Sequence, residues 1–81
     1  MNKRTKLLAA MRNNPRDWCI DDLITVARQF EIECRSHGGS HHVFSHPGVE
    51  ADLSVPARRP IKPIYIRQFL LLLEAVKESK P

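Results

Sequence analysis

No apolar run in this chain approaches the ~18 residues that cross a bilayer. The longest, Phe69 to Leu73, lies near the C-terminus and is too short even for the core of a signal peptide. A cytoplasmic protein with no membrane contact is therefore expected. Cysteine is scarce: only Cys19 and Cys34 are present. Without an export signal they are expected to be free thiols, one or both buried as small apolar side chains, and not a disulfide. Repeats and low-complexity tracts are missing as well. No carboxylate cluster offers a metal cage, and no credible acid stands beside a buried Ser–His pair to complete a serine triad. A DNA-binding helix-turn-helix needs a basic second helix after a short turn, and Leu23 to Phe30 is short and nearly uncharged.

Acid is absent from two stretches, and this absence is the most directional. Met1 to Arg16 carries five basic residues and no acid, and Pro56 to Arg67 carries four more, again with none. The chain as a whole has 13 Lys and Arg against 9 Asp and Glu, a net charge of +4. Two separated basic stretches favour RNA, DNA or an acidic protein as partner, although solvated positive surface explains the N-terminal one equally well. With 81 residues the chain has one core to build and none to spare for a second domain.

The order of elements follows from periodicity and breakers. Lys3 to Arg12 reads as a short helix with Leu7, Leu8 and Met11 on one face, ended by Asn13-Asn14-Pro15. It is expected to be an accessory arm spanning residues 1–16, ahead of a main domain at 17–81. Asp17, Asp21 and Asp22 supply cap and first-turn carboxylates for a second helix, whose Leu23, Val26, Ala27 and Phe30 form a core stripe. Trp18 and Ile20 staple its entry. Glu31 to Arg35 alternates as a strand, Ser36 to Gly39 is a turn, His41 to Ser45 is a second strand, His46-Pro47-Gly48 is a turn, and Asp52 to Val55 is a third strand. Pro56 to Pro63 is extended by its three prolines and projects Arg58, Arg59 and Lys62. A last helix, about Ile64 to Glu78, sets Ile66, Phe69, Leu70, Leu73 and Val76 toward the core. Leu71 and Leu72 make it apolar nearly all round, as a partner contact would. Hairpins this short make an antiparallel sheet, with one face under the helices and the other open to a ligand.

Three of the four histidines, His41, His42 and His46, fall within six residues after Gly38-Gly39-Ser40, with His37 just upstream. Imidazole titrates near neutral pH, so a cluster at the start of a strand can take and give protons there. In a regular strand His41 and His42 face opposite sides. Alternation does not say which side is buried, because Val43 accompanies His41 and Phe44 accompanies His42. His46, before a proline, is expected to stabilise its turn.

Gly39-Ser40-His41-His42 entering a strand, the His46-Pro47 turn, the Val55-Pro56 strand end, and the basic turn Ala57 to Pro63 before an apolar helix form an ordered set. In this set the chain, from about Leu23 to Leu73, resembles the HicA family of toxin ribonucleases from type II toxin-antitoxin systems. The resemblance implies an α+β fold like a double-stranded-RNA-binding domain: a three-stranded antiparallel sheet with helices packed on one face, in the order α-β-β-β-α, plus an extra N-terminal helix. It implies an endoribonuclease that cleaves mRNA without a metal or other cofactor and is neutralised by a HicB-like antitoxin. Carried onto this sequence, the catalytic position is His41, with His42 as its substitute should the register differ by one. Gly39, Ser40, Arg58, Arg59 and Lys62 would contact RNA, and Gly38 would join Gly39 in letting the backbone approach it. One departure stands out: compact members begin near the helix placed at Leu23, whereas some twenty residues precede it here.

Two other classes compete. One is a non-catalytic RNA-binding module using the same sheet and basic turn. The other is a zinc site drawn from Cys34, His37, His41, His42 or His46, whose spacing fits no common finger.

Overall fold

In the computed structural model, which describes residues 3–37 and 39–79, the chain forms α1 (Lys3–Asn13), α2 (Ile20–Gln29), β1 (Glu33–His37), β2 (His41–His46), β3 (Val49–Pro56) and α3 (Pro63–Ser79). It is an α+β protein with a three-stranded antiparallel sheet in the order β1-β2-β3. None of the described helices is long and apolar enough to cross a membrane.

The helices cover one face of the sheet. On that face Phe44 and Val55 are fully buried, with Cys34 and Leu53 half-buried beside them. They meet Met11 from α1, Leu23, Val26 and Ala27 from α2, and Ile66, Phe69, Leu72, Leu73 and Val76 from α3. Phe44 and Phe69 pack edge to face with ring centroids 5.3 Å apart, the geometry that sets a positive ring edge against a negative ring face. The opposite face carries Glu33, Arg35, His41 and Ser54, all exposed, and the half-buried Val43 and Ser45. Strand alternation alone produces this division.

Several boundaries differ from those the pattern predicts, each for a local reason. The first strand begins at Glu33, not Glu31, because Phe30 to Ile32 close α2. The Ile32 N–H donates to the Ala27 carbonyl (2.9 Å), the Glu31 N–H donates to the Arg28 carbonyl (3.3 Å), and Glu31 sits at φ 59. That is a Schellman close, with buried Ile32 packed over Ala27 and a glutamate where glycine is usual. Asp17 does not cap α2. It lies before the helix at φ 65, and Cys19 is the cap residue, its N–H donating to the Asp22 carboxylate at 3.0 Å. The third strand starts at Val49 because the two-residue turn Pro47-Gly48 lets pairing resume at once, His46 opposite Val49.

In α3 the deep position expected of Leu70 belongs to Leu72. Leu70 is half-buried, and the large apolar residues that stand out are Leu71, at 69% exposure, and Ile64, at 56%. The helix is thus apolar on two sides, not nearly all round. Helix α1, expected as an accessory arm, places Met11 fully inside the common core and joins α3 through the exposed Arg12–Glu74 ion pair. Trp18 links the segments between helices: its indole N–H donates to the Asn14 carbonyl (2.6 Å), and its own carbonyl accepts from the Ile61 N–H (2.8 Å).

Candidate functional site

The turn from β1 to β2 begins the site. Gly39 has φ 78, a left-handed backbone that a side chain resists, and open space surrounds the place a Cβ would take. The conformation, and not crowding, explains glycine there. Gly38 lies outside the described residues, as does the His37 side chain.

Ser40 and His41 follow, both exposed, with the serine hydroxyl 3.3 Å from His41 Nδ1. If the hydroxyl donates, the neutral ring's proton sits on Nε2; if it accepts from Nδ1–H, Nε2 is the base of the neutral ring and, once it has taken a proton, the acid. Either way Ser40 orients the ring through Nδ1, and Nε2 has no protein partner among the described residues. His41 occupies the open face because its neighbour Phe44, three residues on, needs the covered one.

His42 therefore points toward the helices. It is half-buried in a cleft lined by Ile24, Arg28, Ile32, Cys34 and Ser36, and its Nδ1 is buried with no hydrogen-bond partner among the described residues. Burial pushes the Cys34 thiol above its ordinary 9.0, so at neutral pH it is protonated and a poor nucleophile or metal ligand. His46 takes a third role, its Nδ1 accepting the Gly48 N–H at 2.9 Å inside the second hairpin turn. The histidines thus diverge to the open face, the helix side and a turn. Among the described residues no three His, Cys, Asp or Glu side chains converge as metal ligands.

The basic turn comes to the His41 end of the sheet through two backbone contacts. Pro56 pairs with His41 at the last register position, and the Ala57 N–H donates to the Ser40 carbonyl at 2.9 Å. Beyond them Ile61 is buried and bonded to Trp18, which holds the far side of the turn. The turn does not present its cations as one group. Arg58 and Lys62 line a small cavity of about 130 Å³ with Pro56, Pro60 and Tyr65. Arg59 turns instead to a separate, open hollow with Asp17, Trp18, Cys19 and Pro60. All three cations are exposed, and none has a carboxylate within ion-pair distance among the described residues. Arg35, on the open face, differs. Its guanidinium donates a hydrogen bond to the Glu33 carboxylate, which together with that residue's charge holds it more firmly protonated and offsets the positive potential there.

Comparison with family models, curated proteins and solved structures returns no match to this chain. The geometry sets an exposed imidazole, oriented by a neighbouring hydroxyl, one strand pairing away from a cavity with two exposed cations. That arrangement can bind an anion and move a proton beside it. Tyr65 completes the cavity and escapes a reading of charge pattern. Its signal in the sequence is an aromatic residue in the first turn of the helix that follows the basic turn.

Proposed function

We propose that this chain is a HicA-like toxin: a cytoplasmic endoribonuclease that cleaves mRNA by histidine acid–base chemistry without a metal, on a fold like a double-stranded-RNA-binding domain, and is neutralised by a HicB-like antitoxin. The observation that carries the reading is the joining of Ser40 to Ala57, which sets the exposed His41 beside the turn bearing Arg58 and Lys62. The motif resemblance supplies the rest.

The chemistry asks little of a small protein, because RNA carries its own nucleophile. A base takes the proton of a ribose 2′-hydroxyl, and the O2′–P bond forms. The P–O5′ bond then breaks, and the departing 5′-oxygen receives a proton. The products are a 2′,3′-cyclic phosphate and a 5′-hydroxyl end. His41 moves the proton at Nε2, with Ser40 orienting the ring. Arg58 and Lys62 hold the phosphate and offset the charge that builds on it. Well-placed proton transfer of this kind contributes on the order of 10²–10⁴-fold. His42 remains the substitute for this role from the other side of the strand.

The test is induction of the wild-type chain and of His41→Ala in growing cells, with RNA integrity followed in parallel and folding of the variant checked by circular dichroism. Growth arrest and mRNA loss with the wild type, and neither with folded His41→Ala, is the expected outcome. Wild-type and His41→Ala chains that both leave mRNA intact would instead favour a non-catalytic RNA-binding module. Cleavage of purified RNA is expected to persist in chelator; its abolition there would overturn the metal-independent mechanism. For the antitoxin, protection of His41 and of the Arg58 to Lys62 turn is expected in a footprint of the complex.

A further inference from the structure

We infer that the cavity formed by Pro56, Arg58, Pro60, Lys62 and Tyr65 is a subsite for one unpaired nucleotide, its phosphate held by Arg58 and Lys62 and its base laid against the Tyr65 ring. The inference deepens the ribonuclease reading and rests on it for the chemistry at His41, but the subsite stands or falls on binding alone.

Four observations converge. The cavity is small, about 130 Å³, room for one ring system and not for the groove of a duplex. Its two cations have no acidic partner among the described residues, so their charge is available to a ligand. Its one aromatic side chain is half-buried and packed against the core, which fixes the ring as a platform. Its wall at Pro56 is the strand partner of His41, so a nucleotide seated there continues along the open face toward the imidazole.

A cation pair with an aromatic ring is the chemistry of single-strand recognition. Bases stack on the ring face while the charges follow the backbone. In an A-form duplex the base faces are already stacked on one another, and contacts go to phosphates and 2′-hydroxyls across a shallow groove. A Tyr65 platform has nothing to do there. Arg59, in its separate hollow with Asp17 and Trp18, is outside the subsite.

The experiment uses the full chain carrying His41→Ala, so that RNA stays intact, and compares a short single-stranded RNA with the same sequence in a duplex by fluorescence anisotropy. Adenosine monophosphate is titrated in parallel by NMR. The single strand is expected to bind more tightly, and the nucleotide to shift Tyr65 ring and Arg58 guanidinium signals but not those of Ile24 or Cys34. Tyr65→Leu is expected to weaken single-strand binding about 5- to 150-fold, while Tyr65→Phe, which keeps the ring and its packing, retains it. Arg58→Gln and Lys62→Gln should each lower the salt slope by about 0.7.

Equal binding of duplex, full affinity in Tyr65→Leu, nucleotide shifts centred elsewhere, or no nucleotide binding at all would each overturn the subsite. These outcomes separate from the parent reading. His41-dependent cleavage with shifts mapping elsewhere removes the subsite and keeps the ribonuclease; nucleotide binding here without His41-dependent cleavage does the reverse.

Discussion

Strand β2 sets two identical residues side by side and gives them opposite surroundings. His41 stands on the open face, exposed and touched by the Ser40 hydroxyl, whereas His42 lies on the covered face in a cleft with Cys34 and Ser36, its Nδ1 without a partner among the described residues. The difference originates two residues further on. Phe44 is fully buried against Phe69, and with a side-chain period of two that fixes every other residue of the strand. Residue type alone therefore says little about which histidine does chemistry; the place of the nearest large apolar residue says more.

The contrast between faces is broken most directly by cutting into each. Phe44→Ala is expected to cost about 3–5 kcal/mol, enough to unfold much of so small a domain, while Val43→Ala next to it on the open face should cost less than about 1 kcal/mol. Urea denaturation of the pair checks this, and comparable losses would mean that the open face is packed. Next in size is Met11→Ala, expected to cost about 2–5 kcal/mol because α1 is part of the covered side; an effect near zero would restore α1 to an accessory arm.

A smaller effect sharpens the route into the sheet. Glu31 closes α2 at φ 59, where a Cβ costs roughly 1 kcal/mol. Glu31→Gly should therefore raise the stability read from urea unfolding only slightly, by about 0.5 kcal/mol or less once the freer unfolded chain is counted. A fall would show that the glutamate side chain contributes more than its backbone strain costs.

The smallest effect concerns pH. Burial raises the Cys34 thiol above 9.0, so the unfolded chain releases that proton first. Folded and unfolded states are both protonated at neutral pH and the group contributes nothing there. As pH rises past the unfolded value, the folded state is penalised and stability declines. Denaturation midpoints of wild type and Cys34→Ser should therefore run parallel at about pH 7 and separate at about pH 10, the wild type falling faster.

Much of this was legible in the sequence, and what was not has a physical cause. The order of six elements follows from periodicity and from breakers such as Asn13-Asn14-Pro15 and Pro47-Gly48. The start of β1 does not, since a left-handed Glu31 ending a helix looks like any strand residue in the pattern. The choice between Leu70 and Leu72 turns on how α3 is rotated over the sheet, a tertiary fact. Within the candidate site, the Gly39-Ser40-His41 entry is local and readable. The parting of Arg59 from Arg58 and Lys62 depends on Ile61 being bonded to Trp18 across more than forty residues, and Tyr65 acquires its place only when the turn closes over it.

Assignment of the chemistry to His41 is decided by the rate of cleavage of a purified mRNA, in chelator, by wild type, His41→Ala and His42→Ala, each with its fold verified. Loss of about 10²–10⁴-fold is expected in His41→Ala, and near wild-type cleavage in His42→Ala. Full activity in His41→Ala together with loss in His42→Ala would contradict that assignment, and would move the chemistry from the open face of the sheet to the cleft beneath α2.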